Sequence, residues 1–256
     1  MNTLTLDELE HYLDAEMVAF NKQRAKILQE LAFEELFLCN PFVLGIWEFV
    51  DLVKILDQLL DHTLLHREEK LLDEILVRLA IFVVAKSFGG YKSSIPGIDF
   101  EFSNNGIQYL VAVKPNLNEE TTPEDHEPGD SLRNAVIQRS KWSEGEVRAV
   151  LGVCYGKSET SQLQGYTKVV GKDFWRLISG NERLYLDIVN PLIRKSRDHD
   201  EIFISEKVGV THRFFKLFYD LFCTERGLID WEKFVEFNLR DRHQDAIQLE
   251  IQGVSL

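Results

Sequence analysis

Asp99 and Glu101 stand two residues apart in an alternating stretch, Gly97-Ile98-Asp99-Phe100-Glu101-Phe102. Lys114 closes the next apolar stretch, residues 107–114. Successive strand residues point to opposite faces, so Asp99 and Glu101 share one face while Ile98, Phe100 and Phe102 share the other. Asn104-Asn105-Gly106 between the two stretches is a strong hairpin signal. With Asn105-Gly106 as a two-residue turn, Asp99 falls opposite Ala112, with Lys114 diagonal to it. Asp99, Glu101 and Lys114 then converge on one side; a turn one residue longer shifts the partners. Two carboxylates beside a lysine suit metal-assisted phosphodiester hydrolysis. Carboxylate oxygens hold Mg2+ with water left in its shell, and the metal polarises the phosphoryl oxygen and acidifies bound water. The lysine orients the attacking water or stabilises charge developing on phosphate. The same spacing also describes an ordinary surface hairpin with a solvated acidic face and a strand-terminal lysine.

The elements around this hairpin are mostly helical. Leu4, Leu6, Leu9 and Leu13 fall at helical spacing, with Thr5 or Asp7 as a cap. Residues 18–33 form a second amphipathic run that ends near Cys39-Asn40-Pro41. A third helix is expected over 46–60 and a fourth over 66–86, stopped by Gly89-Gly90. After the hairpin, residues 115–130 carry three prolines and six acids and read as an exposed loop. A helix over 131–142, a buried strand over 147–155 and a short strand over 166–170 follow. Beyond Gly171 helices are expected at 173–179, 184–195, 201–223 and 231–238. The order predicts an α/β fold, a mixed sheet sandwiched by helices with extra N- and C-terminal helices. It is read as one domain over 1–256: a helical part at 1–65, the core at 66–170 and a helical part at 171–256. No GxGxxG and no P-loop is present.

The chain has 256 residues and a formal net charge of −13, which weighs against a nucleic-acid partner. The distribution softens this. Residues 1–80 hold 16 acids and 7 bases, residues 81–130 hold 8 and 3, and residues 131–256 hold 18 and 19. Any surface for a polyanion should therefore lie in the second half, and a cutting enzyme needs only a locally positive cleft. The longest apolar run, residues 79–85, is far shorter than a membrane span, and the N-terminus has no secretory signal pattern. Cys39, Cys154 and Cys223 are scattered, which predicts a reducing cytoplasm and neither a zinc ribbon nor a disulfide framework.

Other signals have simpler readings. His62 and His66 are four apart on a helix but lack a third ligand pattern, so they read as a solvated pair. Cys154 reads as a small core residue. Phe214, Phe215, Phe218, Tyr219 and Phe222 have helical spacing and read as core or a dimer seam rather than a base-stacking platform. Arg194, Lys195 and Arg197 close a helix, either facing its dipole or contacting phosphate. Trp142, Trp175 and Trp231 are expected as core anchors.

Asp99 followed by a hairpin and Lys114 resembles the active-site hairpin of the PD-(D/E)xK nucleases. More closely, Lys92-Ser93-Ser94 followed by Gly97-Ile98-Asp99-Phe100-Glu101-Phe102, then Tyr109-Leu110-Val111-Ala112-Val113-Lys114, resembles the PmeII-like type II restriction endonucleases. Further matches are Asn40-Pro41, Leu79-Ala80-Ile81-Phe82, Cys154-Tyr155-Gly156, Phe174-Trp175 with Ile178-Ser179-Gly180, Leu184-Tyr185 with Asp187-Ile188, and Ile229-Asp230-Trp231-Glu232-Lys233. The resemblance spans residues 5–240. It implies a restriction-endonuclease-like fold and a cytoplasmic, Mg2+-dependent endonuclease that cuts double-stranded DNA, a homodimer from a restriction-modification system. Asp99 and Lys114 carry over by motif. The resemblance leaves Glu101, or Glu74 on the preceding helix, as the acid expected to complete the metal site. The general pattern has an acid two residues before the lysine, where this chain has Ala112. Where relatives supply that acid from the preceding helix, this chain has Val77 and Arg78. The alternative these departures raise, with the acidic stretch 119–130, is a catalytically silent relative that binds DNA or a protein.

Overall fold

The computed structural model describes residues 4–46, 52–116, 129–143 and 145–239. Its elements run α1 (Leu6–Glu30), α2 (Phe33–Phe37), α3 (Pro41–Ile46), α4 (Leu52–Phe88), β1 (Tyr91–Lys92), β2 (Phe100–Asn104), β3 (Ile107–Lys114), α5 (Gly129–Ser140) and β4 (Glu146–Val153). They continue with β5 (Ser161–Leu163), β6 (Tyr166–Val170), α6 (Lys172–Ser179), α7 (Leu184–Asp187), α8 (Val189–Asp198), α9 (Glu201–Phe222) and α10 (Trp231–Leu239). The chain forms two compact units: Met1–Val18 with Lys70–Arg197, and Ala19–Glu69 with Asp198–Leu256.

The first unit holds the sheet. Its six strands run in the order β1-β2-β3-β4-β6-β5, with β3, β4 and β6 parallel and the other pairings antiparallel. The central strands are apolar on both faces, as a helix-covered sheet requires. On one face Phe100, Phe102, Val111, Val113 and Val150 pack with Leu9 and Leu13 of α1, Leu79, Ala80, Val83 and Val84 of α4, and Phe174 of α6. On the other face Leu110, Ala112, Ala149 and Leu151 meet Leu132 and Ala135 of α5. This is the expected α/β architecture, a mixed sheet between helices. Close approach of α6 depends on Gly152, where an added Cβ would lie 2.2 Å from the Phe174 ring.

The second unit is helical around an aromatic cluster. Phe37 lies 5.0 Å from Phe218, Phe218 lies 5.1 Å from Phe222, and Phe222 lies 5.2 Å from Phe234, ring to ring. Phe214, Phe218 and Phe222 are thus core, whereas Phe215 and Tyr219 of the same run are exposed.

Several boundaries differ from expectation. The first two expected helices are one, α1, and the break expected between 60 and 66 does not occur, so that Leu52–Phe88 is a single 37-residue α4. The segment between the two expected helices, Asp61-His62-Thr63-Leu64-Leu65, contains no Gly or Pro, and α4 runs through it. Leu64 and Ile75, both buried, are 11 residues or three turns apart, so the apolar stripe keeps its phase beyond it. Pro41 begins α3 rather than ending a helix, the position where its missing N–H costs nothing. The expected helix 184–195 divides into α7 and α8, and strands β1 and β5 are additional. Trp142 corrects a reading: it is 84 % exposed and no core anchor. Helix α5 ends at Ser140, and the Trp142 N–H turns back to the Arg139 carbonyl, which takes the indole off the buried face. Trp175 is buried and donates from Nε1 to the Cys154 carbonyl at 3.0 Å. Trp231 packs, half-buried, against the aromatic cluster.

Candidate active site

The hairpin sets the site's register. Asn105 and Gly106 both have positive φ, 50° and 78°, the conformation of a two-residue hairpin turn matched to strand twist. Phe100 pairs with Val111 and Asn104 with Ile107, so the register runs on to put Asp99 opposite Ala112. Asp99 immediately precedes β2, and β3 holds it twice. Its N–H donates to the Val111 carbonyl at 2.8 Å, and its Oδ2 accepts from the Val113 N–H at 2.6 Å. Burial pushes the Asp99 carboxyl above the usual range; the Val113 N–H and the Lys92 and Lys114 charges pull it down without cancelling that push.

Lys114 ends β3 with its side chain exposed. The backbone pairing continues past it: the Lys114 carbonyl accepts from Cys154 at 3.2 Å and the Pro115 carbonyl from Tyr155 at 3.0 Å. Asp99 and Lys114 therefore occupy one end of the sheet, where the parallel strands β3 and β4 finish.

Glu101 sits on the face that alternation assigns it, but its carboxylate is enclosed. It is 0 % exposed and accepts from Ser93 Oγ at 2.8 Å, Gln108 Nε2 at 3.1 Å and the Tyr91 hydroxyl at 3.3 Å, and it pairs with Arg139 of α5. Burial pushes this carboxyl up, but the Arg139 guanidinium and the Ser93 hydroxyl outweigh burial and hold it below the usual range. Glu74 projects outward, 67 % exposed, toward Arg78 at 3.6 Å; Arg78 also pairs with Glu16 at 2.8 Å. Ala112 is buried among Leu132, Ala135, Ala149 and Leu151.

A different acid approaches the strand ends. Asp73 of α4 accepts from the Tyr155 hydroxyl through Oδ1 at 3.1 Å. Burial above all, then the charges of Asp73 and Asp99, push the Cys154 thiol far up, so both carboxylates act on one buried sulfur. On this helix the sequence pattern points to Glu74 and not to Asp73. Helical phase would have separated them. Asp73 lies one and two turns before Val77 and Ala80 on the sheet-facing side, whereas Glu74 shares its side with the exposed Arg78.

Among the described residues no group of three or more His, Cys, Asp or Glu side chains is arranged to hold a metal. The charges of Asp73 and Asp99 both act on the buried Cys154 thiol. His62 and His66 are both exposed. Cys39, Cys154 and Cys223 form no disulfide. Arg194 and Lys195 are engaged by Glu10 at 2.6 Å and Asp14 at 2.9 Å. Of the acidic stretch 119–130, residues 119–128 lie outside the described residues; Asp130 opens α5 and pairs with Arg133.

No helix among the described residues is long and apolar enough to cross a membrane. No curated protein matches the chain. Residues 7–200 match the family model described as type II restriction endonuclease EcoO109I. That span takes in α4, the Asp99–Lys114 hairpin, all six strands and the helices through α8. The match extends over most of the chain, and the chain belongs to the type II restriction endonuclease EcoO109I family.

Proposed function

We propose that this chain is an active, Mg2+-dependent type II endonuclease that hydrolyses phosphodiester bonds in double-stranded DNA. One observation carries the reading: in a chain of this family, Asp99 and Lys114 stand together at the end of β3. The donors suit a hard divalent cation. A carboxylate raised by burial and incompletely compensated by Lys92 and Lys114 gains from a further positive charge. When bound, Mg2+ supplies Lewis-acid activation of the phosphate and of water. Asp99 is fixed by its bond to Val113 N, so its carboxylate needs little reordering to serve as a ligand. Lys114, on a strand with an exposed ammonium, stabilises charge on the phosphate oxygens or orients the nucleophile.

The motif series around residues 92–114 supports a PmeII-like enzyme within the type II group. Cutting both strands of a duplex with one such site per chain calls for two copies, hence a homodimer. The scattered sequence positions of Cys39, Cys154 and Cys223 favour a cytoplasmic enzyme. A second reading, a silent relative that binds DNA or a protein, has its own support: Ala112 leaves β3 without the pattern's acid, and Glu101 is already taken up by four donors.

The test is cleavage of plasmid and unmethylated genomic DNA at low salt with Mg2+ and with Mn2+. Asp99→Asn and Lys114→Met run beside the wild type. Discrete fragments that vanish in both variants are the expected result. No cleavage of several DNAs with either metal overturns it in favour of the silent relative.

A further inference from the structure

We propose that Asp73, presented by α4 and oriented by the Tyr155 hydroxyl, is the second metal-binding carboxylate of the Asp99 site. It does the work of the acid that Ala112 leaves out of β3. The inference rests on the endonuclease reading above and assigns the residue that completes its metal site.

Two short bonded paths tie both acids to the same residue. Asp99 accepts from Val113 N, one residue before Lys114. Asp73 accepts from Tyr155, whose N–H donates to the carbonyl of Pro115, one residue after Lys114. The two paths meet in the backbone segment Val113–Pro115 that closes β3. The other candidates are occupied elsewhere. Glu101 is fully buried under Arg139, Ser93, Gln108 and Tyr91, and Glu74 turns out to Arg78. Two carboxylates with the remaining positions left to water is an ordinary Mg2+ environment, since this ion dehydrates reluctantly.

Placement on α4 removes the need for an acid at position 112. Ala112 lies in an apolar cluster beneath α5, where a carboxylate would lack a partner. An acid on α4 approaches from the opposite face of the sheet, beyond the strand ends. Tyr155 acts as a positioning residue, its hydroxyl donating to Asp73 Oδ1. Ligand-orienting partners of this kind commonly change metal affinity by about 10- to 100-fold when removed.

The experiment titrates Mn2+ into the full chain without DNA, reading free Mn2+ by its electron paramagnetic resonance signal. It compares the wild type with Asp73→Asn, Asp99→Asn, Glu74→Gln and Tyr155→Phe. Asp73→Asn keeps the acceptor for Tyr155 and nearly the same shape. Affinity is expected to fall at least about 10- to 100-fold in Asp73→Asn and Asp99→Asn, to fall less in Tyr155→Phe, and to stay at wild type in Glu74→Gln. Wild-type affinity in Asp73→Asn, with loss in Asp99→Asn, overturns the assignment of Asp73 and leaves the endonuclease reading standing. No Mn2+ binding by the wild type overturns both. An independent measurement uses no variant: Fe2+ with ascorbate and peroxide cuts the backbone around bound iron. Fragments ending near Asp73 and near Asp99 are expected. Cuts near Asp99 alone overturn the proposal.

Discussion

Two regions of one hairpin hold acids two residues apart and treat them in opposite ways. In the middle of the sheet, against α5, Glu101 is sealed from solvent and its carboxylate has four protein donors. At the strand ends Asp99 is half-buried, has one main-chain donor, and keeps a raised proton affinity that neighbouring lysines do not offset. Both project to the same side of β2, so alternation does not distinguish them. Depth along the strand does. A carboxylate beneath a helix is stable only when its desolvation is answered within the protein, whereas one at a sheet's end can be completed by an ion or a ligand. One region is a fastener between β2 and α5; the other is an acid at the sheet's end with a single main-chain donor.

The contrast is most easily broken from the sealed side. Arg139→Met leaves Glu101 buried without its counter-charge and should cost about 3–5 kcal/mol, read as a lower denaturant midpoint. Cleavage by the folded fraction should persist. A variant that keeps its stability but loses cleavage would show that the fastener belongs to the active site. From the open side the effects reverse. Asp99→Asn should lower kcat/KM at least about 100-fold, while its melting temperature stays level or rises, because burial already disfavours the charge. A fall in stability comparable to that of Arg139→Met would erase the distinction.

A smaller effect should follow from moving the strand ends by packing alone. Gly152 pairs with Val113, and an alanine Cβ there would overlap the buried Phe174 ring. Gly152→Ala should cost about 1–3 kcal/mol, with β4 and the Cys154-Tyr155 pair displaced and Mn2+ affinity reduced. Unchanged metal affinity would show that the site tolerates motion of β4.

Glu8 supplies an exposed carboxylate for the same comparison. It accepts from Lys86 at 2.7 Å and from the N–H and hydroxyl of Thr5, each at 3.1 Å, at the start of α1. Those bonds, Lys86 first, lower its pKa from 4.5 to about 2. A depressed pKa means that the stabilisation is fully present above pH 4.5 and is lost as pH falls through about 2. Glu8→Gln keeps the cap and removes the charge, so its melting temperature should differ from wild type near neutrality and converge with it toward pH 2. Parallel melting curves at every pH would show that the exposed charge contributes nothing.

Much of this was legible from residue order. The Asn105-Gly106 turn needs positive φ at both positions, which few residue pairs tolerate, so the hairpin register followed from the turn itself. The register in turn paired Asp99 with Ala112 and set Lys114 near them. The mixed sheet between helices followed from the change of apolar period before and after residue 90. What escaped were continuity and exposure. The expected break at 61–65 is one that no backbone group requires, and Trp142, a large apolar residue expected in the core, lies beyond the end of its helix and is exposed.

By itself the sequence determined which backbone conformations are available and which faces each strand and helix must bury, because those depend on local sterics and on periodic burial. The partners of each acid were decided only by the tertiary structure. Arg139 reaches Glu101 from a helix 38 residues on, and Tyr155 meets Asp73 across 82 residues. Whether a carboxylate is spent on the fold or left for a ligand depends on donors that distant segments bring, and local pattern carries no record of them.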